Sequence, residues 1–190
     1  MLTIELGEEF RDATDTYLRR LLKKGVPSTF ANIKALYADT AKREVILELV
    51  ESYLASPETG DTPTNGETNG NKPKPSDFKL WTLYFLAQHY DHYRTRDSEK
   101  SLKYLNEALD LSPSTVELHM TRARVFKHSG NLQKAMEKMD EARRLDTKDR
   151  YINTKCAKYQ LRNDQNDEAL KTMSLFTRVG RSLLSPLTRY

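Results

Sequence analysis

SLKYLNEA at 101–108 is matched in register by AMEKMDEA at 135–142 and again by ALKTMSLF at 169–176. Each stretch begins with a small residue and has a bulky apolar residue in fifth place. A second series, Ala87, Ala123 and Ala157, recurs with nearly the same spacing, the first interval being slightly longer. A 34-residue period is the signature of the tetratricopeptide helix–turn–helix unit. The sequence therefore predicts an all-α fold, an α-solenoid of antiparallel helix pairs whose concave face holds another protein.

Four segments are predicted along the chain. Residues 1–55 have helical apolar spacing without the clear repeat pattern, so we interpret them as degenerate repeats, with a stop signal at Gly25 and Pro27. Residues 56–77 contain four prolines, three glycines and no large apolar residue, which predicts a disordered low-complexity loop. Three tetratricopeptide repeats follow at 78–180, and residues 181–190 are predicted to form an irregular tail.

Composition limits the cellular setting and the class of partner. Cys156 is the only cysteine, which excludes an intrachain disulfide and fits a reducing, cytoplasmic location. No apolar run is long enough to span a membrane. Positive charge is concentrated at the C-terminal end, where residues 114–190 hold 16 Lys and Arg against 9 Asp and Glu. Such a region suits an acidic partner, RNA or a polyphosphate, or simply forms solvated outer helix faces.

The sequence predicts no catalytic residue and no metal site. His89 and His92 could share a helix face, but no third ligand stands at a suitable spacing. Cys156 is expected to be a small buried apolar residue, because no neighbouring base is available to activate it. The seven glycines form no phosphate-binding loop. We therefore expect a protein that is not an enzyme by itself.

Several longer stretches go beyond the generic repeat. They are LAQHYD at 86–91, FKHSGN at 126–131, MDEA at 139–142 and LDTKDRYINTKCAKY at 145–159. Over roughly residues 8–182 the chain resembles the auxiliary subunits of N-terminal acetyltransferase A. Members of that family are longer than this chain, which resembles a middle segment of them. The stretch at 182–190, SLLSPLTRY, departs from the helical continuation that the resemblance leads us to expect.

The resemblance implies a non-catalytic scaffold that wraps a separate catalytic GNAT-type subunit and, in its full-length form, docks on the ribosome. It also implies that inositol hexakisphosphate can bind between the two subunits, held by basic side chains. The positions that match such a polyphosphate or partner site are Lys127, His128, Arg150, Tyr151, Lys155 and Lys158. Lys155 and Lys158 are one helical turn apart, so they can converge on one anion.

Two other functions compete with the scaffold. A generic peptide-binding adaptor of the co-chaperone kind would hold a carboxylate with Lys and Asn on successive first helices. The corresponding positions here are Tyr84, Gln88, Thr121, Tyr151 and Lys155, of which only the lysine fits. An RNA-binding repeat would need more aromatic platforms among the basic residues, so direct nucleic acid binding is not expected.

Overall fold

The structure is a computed structural model that describes residues 2–55 and 77–176. Helices account for nearly all of these residues, and no strand occurs among them. The helices are α1 (Leu2–Lys23), α2 (Thr29–Ile33), α3 (Thr40–Leu54), α4 (Asp77–Asp91), α5 (Ser98–Leu111), α6 (Val116–His128), α7 (Leu132–Leu145), α8 (Arg150–Arg162) and α9 (Asn166–Ser174). A 3₁₀ turn at Lys34–Ala38 follows α2. The predicted all-α fold is confirmed.

The contacts divide the chain into a first unit, Met1–Pro113, and a second unit, Ser114–Tyr190. The predicted loop at 56–77 lies outside the described residues, except that Asp77 begins α4. The predicted tail at 181–190 also lies outside them. No helix in the described ranges is long and apolar enough to cross a membrane.

The first unit joins the N-terminal helices to the first helix pair, α4 and α5. Helices α1, α2 and α3 all contact α4, and α5 packs along it as the second member of the pair. Their shared core is aromatic and aliphatic, with Leu18, Phe30, Tyr37, Tyr53 and Phe85 among its buried residues. After the stop signal, the helical spacing of residues 28–39 does not give one continuous helix, because this stretch is split into α2 and the 3₁₀ turn.

A glycine allows close packing at the end of α1. Gly25 has φ +66, and a Cβ built on it would stand 2.7 Å from Nε1 of Trp81 on α4. Glycine adopts this left-handed conformation without steric cost, whereas a side chain would be strained there and would also strike the indole ring. The predicted stop signal therefore also provides the contact surface for α4.

The repeated small residues lie where paired helices cross. Ala87, Ser101, Ala123, Ala135 and Ala157 are all between 0% and 1% exposed. The Ser101 hydroxyl also donates to the Ala87 carbonyl at 2.7 Å, which ties α5 to α4. Because larger side chains would force the helices apart, these positions confirm the packing that the sequence period predicts.

The turns inside the two later pairs have the same backbone form. Gly130 between α6 and α7 has φ +82, and Asp164, at the equivalent position between α8 and α9, has φ +56. In both turns an N–H bonds back to a carbonyl five residues earlier, from Asn131 to Phe126 at 2.9 Å and from Gln165 to Gln160 at 3.0 Å. The left-handed residue that ends a helix is therefore retained even where glycine is not.

Candidate functional site

All six predicted site residues belong to the second unit. Lys127 and His128 form the last turn of α6, and Arg150, Tyr151, Lys155 and Lys158 lie on α8. Helix α8 begins cleanly because the Asp149 side chain accepts a hydrogen bond from the Ile152 N–H at 3.0 Å. That cap satisfies one free N–H group and fixes where the helix starts.

Cationic and aromatic side chains alternate along one side of α8, next to the core of the second unit. The Lys155 Nζ stands 5.1 Å from the centre of the Tyr151 ring, and the Arg162 Cζ stands 5.8 Å from that of Tyr159. Residues three or four apart on a helix are neighbours, so these contacts form one stripe along the helix. A cation above an aromatic face is held by the ring quadrupole while it remains available to an anion.

Lys127 brings α6 to the same stripe. Its Nζ stands 6.0 Å from the centre of the Tyr159 ring, at the outer limit of a cation–π contact. Tyr159 is 7% exposed and belongs to the core of this unit, so its ring is held in place. Both Lys127 and Arg162 contact this ring. Lys158 is exposed on the adjoining side of α8. We call Lys127, Tyr151, Lys155, Lys158 and Arg162 the basic face.

The structure brings four of the six predicted residues onto the basic face. Arg150 is exposed at the first position of α8 and makes no ring contact or ion pair with the others in the described part of the chain. His128 ends α6, one residue after Lys127. The polyphosphate role assigned to the six remains a prediction.

The carboxylates Asp140 and Glu141 of the neighbouring helix α7 pair with cations of their own helix. Asp140 binds both Arg143 and Arg144 at 2.8 Å, and Glu141 binds Lys138 at 2.6 Å. Within the described ranges no carboxylate lies at ion-pair distance from Lys155, Lys158 or Arg162. Such a surface can hold a polyanion or an acidic protein surface.

Sequence reasoning missed Arg162. It follows Lys155 by seven residues, which is two helical turns, and so it falls on the same face. A search for further Lys or Arg residues at helical spacing after Lys155 would have found it. Asn153, by contrast, is structural: its Nδ2 donates to the carbonyls of Thr147 and Asp149, at 2.9 and 2.7 Å, and so pins the turn before α8.

The residues considered for chemistry are buried structural groups. Cys156 is fully buried, and burial, followed by the charge of Asp140, raises the pKa of its thiol to about 11. A thiol that stays protonated is a poor nucleophile. Nδ1 of His89 shares a 2.7 Å hydrogen bond with the Tyr37 hydroxyl. No cluster of metal-binding side chains occurs among residues 2–55 and 77–176.

Most of the side chains that the adaptor alternative would use to bind a peptide are buried. Gln88 is 7% exposed and Thr121 is 2% exposed, so neither is open to a peptide carboxylate. Gln88 also uses its Nε2 to donate to the Tyr84 carbonyl at 3.5 Å, within α4. Only Tyr151 and Lys155 remain at the surface, and both belong to the basic face.

Comparison with known proteins identifies the relatives of this chain. Residues 1–188 match the model of the family described as N-terminal acetyltransferase A, auxiliary subunit. The human N-alpha-acetyltransferase 16, NatA auxiliary subunit, is 44% identical over 98% of this chain. The Arabidopsis thaliana N-terminal acetyltransferase A complex auxiliary subunit NAA15 is 39% identical over 93% of it. The chain spans only 21% and 19% of these two relatives.

Solved structures agree with this relationship. The structure of Naa15/Naa10 bound to HypK-THB matches 90% of this chain and 24% of its own chain, with a TM-score of 0.79 and 49% identity. A MamA structure of the RS-1 ArsTM double mutant has a TM-score of 0.54 at 15% identity, which indicates a shared fold alone. The repeat, the all-helical fold and the family match lead to one conclusion: the chain belongs to the family of N-terminal acetyltransferase A auxiliary subunits.

Proposed function

We propose that this chain is a segment of a non-catalytic scaffold subunit that binds the catalytic GNAT-type subunit of an N-terminal acetyltransferase. The observation that carries the proposal is the 49% identity, over 90% of this chain, to a structure described as a Naa15/Naa10 complex. The fold supports the proposal as well, because tetratricopeptide-like helix pairs offer wide surfaces for protein partners. The chain spans 21% of its human relative, so the proposed binding belongs to a longer protein of which this chain is one part.

The chemistry of the candidate groups supports a non-catalytic role. The buried Cys156 thiol has a raised pKa, and the His89 imidazole is committed to Tyr37. In the described part of the chain no carboxylate that could act as a general base pairs with Lys155, Lys158 or Arg162. These groups support a binding role for the surface and leave acetyl transfer to the partner.

Co-expression with the catalytic subunit from the same source tests the scaffold proposal. We expect the two chains to elute together at equal stoichiometry in size-exclusion chromatography. The double variant Lys155→Glu/Lys158→Glu should weaken the complex if the basic face is part of the interface. The matched control Lys24→Glu/Lys103→Glu changes the same number of exposed charges in the first unit. Failure of both this chain and the full-length protein to bind the catalytic subunit, or recovery of a chaperone C-terminus instead, would contradict the proposal.

Inositol hexakisphosphate is the proposed small-molecule ligand of the basic face. Lys155, Lys158 and Arg162 lie on one side of α8, and clustered like charges repel one another until a counter-anion binds. Addition of inositol hexakisphosphate should raise the melting temperature of the wild-type chain. Lys155→Glu/Lys158→Glu should abolish this shift, whereas Lys24→Glu/Lys103→Glu should retain it. An equal shift in both double variants would refute the assignment.

We further infer a cytoplasmic location and ribosome docking by the full-length protein. Family membership and the single cysteine support this inference. Sedimentation of the full-length protein with ribosomes through a sucrose cushion would test it. Docking through basic side chains predicts release as the salt concentration rises.

A further inference from the structure

A second cationic site lies in the first unit, where the turn between α4 and α5 meets the start of α3. Its members are Arg43, His92, Arg94 and Arg96, with Tyr93 at the tip of the turn, and we call this set the arginine turn. The basic face does not include any of these residues. Residues 1–113 hold 15 Lys and Arg against 18 Asp and Glu, so composition did not indicate a cationic site there.

Hydrogen bonds and ring contacts link each of the three arginines to His92 or to a residue beside it. Arg43 donates from Nη1 to the Tyr37 carbonyl at 3.4 Å, and the Tyr37 ring stands 5.0 Å from the His92 ring. The Arg94 N–H donates to Nδ1 of His92 at 3.4 Å. Arg96 donates from Nη2 to the carbonyl of Asp91, the residue before His92, at 3.3 Å. The charges of Arg94, Arg43 and Arg96 also lower the pKa of His92, after the larger effect of burial.

No carboxylate within the described ranges forms an ion pair with these three arginines. Three aspartates near them in sequence have other roles. Asp39 caps α3 by accepting from the Lys42 N–H, and Asp97 caps α5 by accepting from the Lys100 N–H. Asp97 is also the ion-pair partner of Lys100, at 3.6 Å. Asp91 is buried and acts on His92 by raising its pKa.

Three guanidinium groups that have no carboxylate partner in the described part of the chain match a phosphate group better than they match a carboxylate. A guanidinium presents a planar fork that binds two phosphate oxygens at once, and several forks can share one phosphate dianion. Arg43 and Arg96 already donate hydrogen bonds to backbone carbonyls. Part of the side-chain entropy that ligand binding would remove is therefore lost before a ligand binds. Neutral His92, half-buried and next to Asp91 and Tyr37, can add a hydrogen bond.

The surroundings favour a phosphorylated protein segment over a nucleic acid. Tyr93 lies at the tip of the turn and is 67% exposed, but other side chains already contact its ring. The Arg94 guanidinium covers the ring at 5.1 Å and donates from Nε to the Tyr93 hydroxyl, and the His92 ring stands 4.5 Å away. Nucleic acid sites need open aromatic faces on which bases stack. Clusters of arginine are a recurring means of recognising phosphorylated peptides.

We propose that the arginine turn binds the phosphate of a phosphorylated serine or threonine in a partner polypeptide. The site would give the scaffold a contact that depends on the phosphorylation state of its partner. It rests on residues of the first unit and goes beyond the proposed binding of the catalytic subunit, so either proposal can fail alone.

Nuclear magnetic resonance of the ¹⁵N-labelled chain tests the proposal at the arginine Nε–H signals. The probe is a short glycine–alanine peptide with a central phosphoserine, compared at matched ionic strength with the serine and glutamate versions. We expect saturable shifts of the arginine-turn signals with the phosphopeptide and at least about tenfold weaker binding of the glutamate peptide. Inorganic phosphate serves to distinguish a site for phosphorylated peptides from a site for free phosphate. It should bind more weakly than the phosphopeptide, because it lacks the contacts of the peptide backbone.

Variants make the test specific. Arg94→Gln/Arg96→Gln should weaken phosphopeptide binding by at least about tenfold, because each charge-assisted hydrogen bond is worth about that factor. Arg94→Lys/Arg96→Lys should fall between this variant and wild type, and Lys24→Gln/Lys103→Gln should bind as wild type. Circular dichroism checks that each variant is folded. Equal responses to the phosphoserine and glutamate peptides, an unchanged affinity in Arg94→Gln/Arg96→Gln, or tighter binding of oligouridylate through the same arginines would each overturn the proposal.

Discussion

The burial of His89, which is hydrogen-bonded to Tyr37, should make the first unit sensitive to acid. Tyr37 is fully buried, His89 is 2% exposed, and their polar atoms stand 2.7 Å apart. Burial, followed by the positive charge of Arg43, lowers the pKa of His89 from 6.5 to about 4. The folded chain therefore resists a proton that the unfolded chain accepts.

The sign and size of the effect follow from this difference. Below pH 6.5 the unfolded state binds a proton at His89 and the folded state does not, so stability falls as the pH falls. The loss ends near pH 4, where the folded state is protonated too. A difference of about 2.5 pKa units corresponds to about 3 kcal/mol of unfolding free energy lost between pH 6.5 and pH 4.

Substitution of His89 by Leu removes the titrating group. Urea unfolding, followed by the fluorescence of Trp81, the single tryptophan, reports on the unit that contains the pair. Between pH 6.5 and pH 4 the wild-type chain should lose about 3 kcal/mol more stability than His89→Leu, because all other titrating groups are common to both. Equal pH dependence in the two proteins would refute the reasoning.

A double-mutant cycle isolates the hydrogen bond itself. At pH 7, Tyr37→Phe leaves Nδ1 of His89 buried without a partner, and His89→Leu does the same to the Tyr37 hydroxyl. Each change should cost about 1–3 kcal/mol through the unsatisfied polar atom. The double variant Tyr37→Phe/His89→Leu removes both polar atoms, so no unsatisfied group remains. Its loss of unfolding free energy should therefore be smaller, by about 1 kcal/mol or more, than the sum of the losses in the two single variants. Strict additivity would show that the bond contributes nothing.

Other features allow simpler tests. Gly25→Ala should lower the unfolding free energy by about 2–3 kcal/mol, because the left-handed backbone is strained and the new Cβ strikes Trp81; urea unfolding measures this. Ala135→Leu should cost about 1–3 kcal/mol or more in thermal unfolding by overpacking the α6–α7 crossing, whereas Leu170→Ala, at a position 71% exposed, should change stability by less than about 0.5 kcal/mol. Cys156 should react with a thiol reagent in urea but only very slowly in the native chain, and rapid native reaction would show that its burial is wrong.

The sequence predicted the helix pairs because their pattern is local and repeated. Small residues mark the crossings, and their burial from Ala87 to Ala169 confirms the interpretation of the period. The last repeat also shows the limit of this argument. Met139 is 2% exposed and packs in the core that includes Cys156 of α8, whereas its equivalent Met173 is 40% exposed. Burial of that position requires a neighbouring helix, which the pattern within one repeat does not supply.

Local capping signals were less reliable than the repeat. Ser114 and Glu117 are spaced as a capping box, yet α6 begins at Val116 with Thr115 as its N-cap and without a capping side-chain bond. Asp97, Asn131 and Asp149 do cap their helices. The short polar sequence before α6 offers neighbouring residues that could each begin the helix, and the spacing alone does not decide between them.

Contacts between distant segments could not be predicted from one sequence. Tyr37 and His89 are 52 residues apart, and the apolar stripes around them do not specify which helix faces which. The arginine turn depends on the same packing, because Tyr37 links Arg43 to His92. On α8, by contrast, Lys155 and Lys158 were predicted from spacing, since one helix places them together.

The burial of α4 has a consequence for how a growing polypeptide acquires this structure. Twelve of its residues are buried, from Phe78 to Asp91, and α1, α2 and α3 all lie against it. Those earlier helices leave the ribosome first. Their apolar residues that pack on α4 stay exposed to solvent until translation has passed residue 91. During that interval the nascent chain would be a natural client for chaperones, unlike the later pairs, whose two helices are made within a few dozen residues of each other.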